Sequence, residues 1–105
     1  MDRRVVWTES AWRDLDDVIG YIARDSTHYA ASFAREFRDA SRSLARFSER
    51  GQVVPEFGET HIREIFIRSY RLVYSLSGDS LYVLGLIHGA RDLSALWDRG
   101  KRPDH

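Results

Sequence analysis

HIREIFIRSYRLVYSLSGDSLYVLGLIHG, residues 61–89, is the stretch on which the fold turns. Its period is two, not 3.6. Tyr70, Leu72, Tyr74 and Leu76 alternate with Arg71, Val73 and Ser75, the mark of a strand with two distinct faces. His61 to Ile67 reads as the strand before it, and Arg68-Ser69 is the only room for a turn between them. Ser77-Gly78-Asp79-Ser80 is a hairpin signal, because Gly78 can take a positive φ. Leu81 to His88 is nearly all apolar, which predicts a central strand covered on both faces, and Gly89 closes it. The stretch therefore predicts a three-stranded meander.

Upstream the period changes to that of a helix. Arg3 to Trp7 is short, β-branched and aromatic, as in a strand. Thr8 is a good N-cap, and Glu9 sits in the first turn, where negative charge is favoured. A helix is predicted from there to about Asp25. Trp12, Leu15, Ile19 and Ile22 form its apolar stripe, with Arg13, Asp14, Asp17 and Arg24 on the other side. Ser26 or Thr27 opens a second helix that ends near Ser48. Ala30, Phe33, Phe37, Ala40, Leu44 and Phe47 make its buried face, opposite a narrow file of Arg35, Arg38, Arg42 and Arg46. A joint this short implies an antiparallel helical hairpin. Gly51, Pro55 and Gly58 mark a loop before the strands. Downstream, Asp92 to Arg99 reads as one short helix, and Gly100 to His105 as a frayed tail.

The order is β-α-α-β-β-β, an α+β class. An N-terminal strand and an antiparallel helical hairpin pack on one face of a small, mostly antiparallel sheet. With 105 residues and 43% hydrophobic content, the chain suits a single domain, with an ordered core over about residues 3–97. Trp7, Trp12 and the five phenylalanines are assigned to the core, and Tyr70 and Tyr74 to the sheet face under the helices.

Composition narrows the function classes. There is no cysteine, which removes disulfides and thiolate metal sites and fits a reducing cytosol. No apolar run approaches the ~20 residues of a membrane span, and the N-terminus lacks the apolar centre of a signal peptide. Sixteen basic and sixteen acidic residues leave no net charge, so any nucleic-acid contact has to be a local patch. Lys101 is the only lysine; the other cations are arginines, whose rigid fork suits phosphate and carboxylate and does not deprotonate.

There is no glycine-rich phosphate loop, HExxH or Gly-x-Ser-x-Gly elbow, and His28, His61, His88 and His105 are too scattered for a metal site. No cofactor and no metal are expected. The chemistry-bearing candidates are Arg63, Arg71 and Arg91, placed on strands or strand ends where alternation lets them share a face. Three convergent arginines beside an aromatic could bind phosphate oxygens and stack a base, or bind a partner's carboxylates. The plain alternative is surface arginines lying over the sheet. His88 is a candidate acid or base, since an ordinary imidazole titrates near about 6.5, against the alternative of a buried strand-end histidine bonded to backbone. The arginine file on the second helix reads as a solvated face.

The run Arg63-Glu64-Ile65-Phe66-Ile67, then Tyr70-Arg71-Leu72-Val73-Tyr74 and Leu84 to Leu93, resembles the C-terminal half of RelE/ParE superfamily toxins. The opening VVWTESAWRDLDDVIGYI, residues 5–22, resembles their first strand and helix, so the likeness covers residues 3–97. The resemblance implies the fold above and a cognate antitoxin whose disordered tail folds on binding. It also implies one of two activities, with a non-toxic binding module of the same fold as the remaining alternative. RelE-like members cleave mRNA on the ribosome. By position Arg71 and Arg91 match their phosphate-binding arginines, Trp97 falls where some place a terminal tyrosine, and His88 is the nearby acid or base. ParE-like members poison DNA gyrase and need no catalytic set. The strand region holds no lysine, and a tryptophan at position 97 can stack a base but cannot transfer a proton. Both departures favour the ParE-like branch, with Arg63, Arg71, Arg91 and Trp97 as a binding surface. The expected setting is cytoplasmic, with no membrane partner.

Overall fold

The fold is given by a computed structural model that describes residues 2–89. Its elements run β1 (Arg4–Trp7), α1 (Glu9–Ala23), α2 (Thr27–Arg46), β2 (Gln52–Val53), β3 (Ile62–Ile67), β4 (Tyr70–Ser77) and β5 (Ser80–His88). The helix starts obey their caps: the Thr8 hydroxyl accepts from Ala11 N at 3.1 Å and the Ser26 hydroxyl from Tyr29 N at 3.0 Å. The loop expected around Gly51 contains a further strand, β2, whose two residues pair with Glu64 and Arg63 at the edge. Two residues are too few to carry a visible period.

The strands form one sheet in the order β1-β5-β4-β3-β2. The meander pairs antiparallel, and the helical hairpin carries the chain across the sheet so that β1 lies parallel beside β5. The α+β architecture with both helices on one face is as the sequence predicts. Leu15, Phe33, Phe37 and Leu44 of the helices meet Ile65, Leu72, Tyr74, Leu81, Val83 and Leu86 of the sheet. The opposite face carries a smaller cluster of Val54, Ile62, Val73, Leu84 and Ile87, joined by Phe57 and Tyr82. β5 is thus buried on both faces, as its apolar run requires.

The β4–β5 ladder skips one residue. Val73 pairs with Gly85 but Tyr74 pairs with Val83, leaving Leu84 as an extra residue on β5. The bulge shifts the phase of alternation, so Leu81, Val83 and Leu86 all reach the helix-covered core while Leu84 turns to the other face. Asp14 of α1 accepts the Leu86 N–H at 3.1 Å, where β5 has run past the end of β1. Asp14, expected on the solvated side of α1, is therefore a partner of the sheet.

The aromatic assignment needs correcting too. Phe33 and Phe37 are buried, but Trp12, Phe47 and Phe66 are each more than half exposed. Trp12 does lie on the α1 stripe, but it stacks on Trp7 and stays half exposed beside the groove they line. Arg35, Arg38, Arg42 and Arg46 are exposed, as a solvated file should be. The predicted helix over residues 92–99 lies outside the described residues.

Candidate functional site

The β3–β4 hairpin places the strand arginines. Its two-residue turn fixes the register: Phe66 faces Arg71, Glu64 faces Val73, and Arg63 faces Tyr74. Residues directly opposite share a face. Arg71 therefore lies with Glu64 and Phe66 on the face away from the helices, and Arg63 lies with Tyr74 on the helix-covered face. The shared face expected for Arg63 and Arg71 does not exist, because the residues along and across this hairpin alternate and the two positions fall out of phase.

Arg71 is 4% exposed and sits in a cage of two carboxylates. Its Nε donates to Glu64 Oε1 at 2.5 Å, and its Nη1 and Nη2 donate to Glu56 Oε2 and Oε1 at 2.7 Å each. This fork-to-fork pairing is the strong form of an arginine–carboxylate contact. Gln52 Nε2 donates to the second oxygen of Glu64, itself 2% exposed. The bonds to Glu56 above all, and then those to Glu64, raise the Arg71 pKa further above its already high value, against the opposing effect of burial.

Glu56 is delivered by a tight turn. Pro55 presets the backbone after Val54, the N–H groups of Phe57 and Gly58 both return to Val54 O, and Gly58 closes the turn at φ +66°. The sequence reading named neither glutamate. Glu64 was legible: a charged residue in an apolar strand, diagonal to Arg71 once a two-residue turn sets the register. Glu56 was not, since nothing local shows where its loop lies over the sheet.

Arg63, half-buried at the sheet edge, donates from Nε to Thr60 O at 3.0 Å and from Nη1 to Gly51 O at 2.9 Å. It closes the β2–β3 loop onto the end of α2. Beside it, Tyr74 donates from its hydroxyl to Ser48 O at 2.8 Å and accepts from Gly51 N at 3.0 Å. Burial lifts the Tyr74 phenol above its ordinary pKa, with the Gly51 bond acting in the opposite sense. A Cβ on Gly51 would fall 2.4 Å from that hydroxyl, so this approach requires glycine.

His88 is exposed, not buried, and its ring meets Tyr70 edge-on with centroids 5.6 Å apart. It faces Tyr70 across the β4–β5 ladder, whereas Arg71 faces Ile87, so His88 and Arg71 also point to opposite faces. The other proposed members of the site, Arg91 and Trp97, lie outside the described residues. Among the described residues no cluster of His, Cys, Asp or Glu could hold a metal ion. No described helix is long and apolar enough to cross a membrane.

A concave feature lies on the helix side. Trp7 and Trp12 stack at 4.4 Å, and Phe37 tilts against Trp7 at 4.8 Å. They line a groove of about 520 Å³ between β1, the start of α1 and the C-terminal half of α2, with Arg38 and Arg42 among its walls. The sequence reading missed it because each aromatic had been assigned to the interior.

The fold and these sites can be set beside known proteins. Toxin RelE2 of Caulobacter vibrioides is 29% identical over 89 residues, covering 84% of this chain and 97% of that protein. Among solved structures, the chromosomal ParDE toxin–antitoxin system from P. aeruginosa superposes with a TM-score of 0.67 at 16% identity. The match covers 82% of this chain and 95% of that one. The toxin–antitoxin complex RelBE2 from Mycobacterium tuberculosis superposes with a TM-score of 0.55 at 23% identity, over 84% and 99% of the two chains. At such identities the structures speak for the fold alone. The family model described as the ParE toxin of the type II toxin–antitoxin system parDE matches residues 5–93, nearly the whole chain. The chain belongs to the ParE toxin family of type II toxin–antitoxin systems.

Proposed function

We propose that this toxin arrests growth by binding DNA gyrase, without cutting RNA, and is held inactive by a cognate antitoxin in a hetero-oligomeric complex. The observation that carries the proposal is the state of Arg71. A nuclease needs that guanidinium turned toward a phosphate, but here all three of its nitrogens are engaged by Glu56 and Glu64. Two carboxylates at that point repel a phosphodiester, and replacing them would leave buried charges unpaired. Arg63 is committed to backbone carbonyls on the other face, and His88 does not share a face with Arg71. A binding toxin needs no such convergence. The antitoxin fits the assemblies named for both solved neighbours.

A supercoiling assay with purified gyrase tests the target. Inhibition with accumulation of cleaved DNA complexes is expected at micromolar toxin, and unchanged supercoiling there would reject it. The rival is a ribosome-dependent endoribonuclease, whose candidate acid or base, His88, lies at the solvent-exposed end of β5. It requires codon-linked cuts in translated mRNA that vanish in His88→Ala or Arg91→Ala. Intact message in arrested cells excludes it.

A further inference from the structure

Two backbone bonds hold the start of the chain at one end of the sheet. Arg3 N donates to Ala45 O near the end of α2, and Arg4 N donates to Asp79 O in the β4–β5 turn. A cavity of about 580 Å³ opens between these three segments, within the size range of sites that take a small molecule. It lies at the Ser80 end of β5. His88 ends that strand, about 27 Å away at 3.4 Å per residue, and Arg71 pairs with Ile87 beside it. The cavity is therefore separate from the surroundings of Arg71 and His88.

One wall is a rigid turn. Past the end of α2, Phe47 N returns to Ser43 O and Arg50 N to Phe47 O, while the Ser48 hydroxyl donates to Leu44 O at 2.7 Å. The buried Tyr74 hydroxyl fixes the same turn through Ser48 O. Phe47 stands on it 59% exposed, an aromatic face on the cavity wall. Three guanidinium groups, of Arg3, Arg46 and Arg50, share the cavity with the carboxylates of Asp2, Glu49 and Asp79. None of the six belongs to an ion pair among the described residues. Two of the arginines are aimed. Arg3 donates from Nε to Gly78 O at 3.0 Å and keeps both Nη groups, and Arg50 donates from Nη1 to the Ser43 hydroxyl at 3.0 Å. Arg46 is exposed and keeps its whole fork.

Balanced charge of this kind does not suit a bare polyanion. It suits a ligand that carries acceptors, donors and a flat ring together, and guanine carries all three. Its O6 and N7 accept two parallel N–H groups of one arginine, its N1 and N2 donate to a carboxylate, and its ring stacks on an aromatic. We propose that this cavity is a site for a phosphorylated guanosine. The base stacks on Phe47. The two Nη groups of Arg3 bind O6 and N7, and Asp79, next to the carbonyl that aims Arg3, accepts from N1 and N2. Arg46 and Arg50, on either side of the turn that ends α2, take the phosphate. Asp2 and Glu49, both exposed, set their charge against anions that bring no base. A free nucleotide and an unpaired guanosine in a single strand present the same chemistry. The inference goes beyond the gyrase reading and does not depend on it: the ligand is a further occupant of the toxin, not its target.

The test titrates full-length protein, made in a cell-free extract to avoid growth arrest, with GMP, AMP and guanosine and with the trinucleotides UGU and UAU, followed by NMR. GMP should shift the amides of Phe47, Arg50 and Gly78 and leave those of Arg71 and His88 in place. AMP, which has a donor where guanine has O6, should bind about tenfold more weakly, the low end for one bidentate base contact. Guanosine should also bind about tenfold more weakly than GMP, having lost the hydrogen bonds to a charged group. Arg3→Lys keeps the charge without the fork and should erase the preference for GMP over AMP. Arg46→Ala should shrink the advantage of GMP over guanosine and leave the choice of base intact. Phe47→Ala should weaken GMP and AMP alike, by about tenfold. Arg46 and Phe47 are exposed, so these two variants keep the test valid even if Arg3→Lys does not fold; their urea midpoints should match the parent. Either GMP or UGU as the tighter ligand sustains the site, and their order identifies its source as a free nucleotide or a strand. No binding of either, equal affinity for GMP and AMP, a base preference untouched by Arg3→Lys in the folded protein, or shifts confined to another surface would each overturn the proposal.

Discussion

Replacing Arg71 by methionine separates a structural arginine from one that works on a substrate. The side chain is nearly isosteric, but its loss leaves Glu64, 2% exposed, without its cationic partner and removes the two bonds from Glu56 to that guanidinium. Breaking a buried pair by removing one member costs about 3–5 kcal/mol, because the remaining charge stays buried and uncompensated. That is a large share of the 5–15 kcal/mol typical of a domain. With a urea slope of about 1–3 kcal/mol/M, the unfolding midpoint followed by Trp7 and Trp12 fluorescence should fall by about 2 M. Loss of toxicity in this variant alone decides nothing. The informative protein is the triple variant Arg71→Met, Glu64→Leu, Glu56→Leu, which replaces the whole cage by apolar side chains. Such exchanges are commonly neutral or stabilising, so the urea midpoint should recover. If the cage is only scaffolding, the triple variant also arrests growth and inhibits gyrase as the parent does. A triple variant that folds with the parental midpoint but has lost its effect would refute the reasoning, and so would an Arg71→Met single variant with no loss of stability.

Three further outcomes follow from the same geometry. The Tyr74 phenol has a folded pKa raised by burial above the unfolded value of about 10. Its contribution is therefore complete below pH 10 and lost as pH rises through the folded pKa, so stability should fall on the alkaline side. Tyr74→Phe should flatten that fall while costing about 1–3 kcal/mol at pH 7, since Ser48 O and Gly51 N lose their partner. Gly51→Ala should cost about 2 kcal/mol in urea denaturation, because the new methyl group enters the space of the Tyr74 hydroxyl and of Glu64 O. Asp14→Ala should leave the Leu86 N–H without its acceptor, lowering stability by about 1–2 kcal/mol and speeding hydrogen exchange at Leu86 more than at Leu72, its partner on β4.

Much of the molecule was legible in the chain. The change from a helical to a strand period between Phe47 and His61 separates the hairpin from the meander, and Thr8 marks the first helix start to the residue, the Ser26-Thr27 pair the second. The site was legible only in part. The two-residue turn at Arg68-Ser69 already implied that Arg63 and Arg71 lie on opposite faces: the residues paired across it differ by an odd number, and these two differ by an even one. The same parity puts Glu64 on the side of Arg71. The face of Leu86 could not be read this way, because the bulge at Leu84 shifts the phase of β5 and leaves no mark in composition.

What the sequence determines by itself is local: where each element begins, which of its sides is apolar, and which residues face each other across a short hairpin. Those follow from backbone geometry within a few residues. The carboxylate of Glu56 over Arg71, the reach of Asp14 to Leu86, and the groove left open beside Trp12 were decided only in three dimensions. Each depends on the path of a loop or on how the helices seat on the sheet. That path is settled by burial summed over the whole core, and no single segment of the chain carries enough of it to show the result.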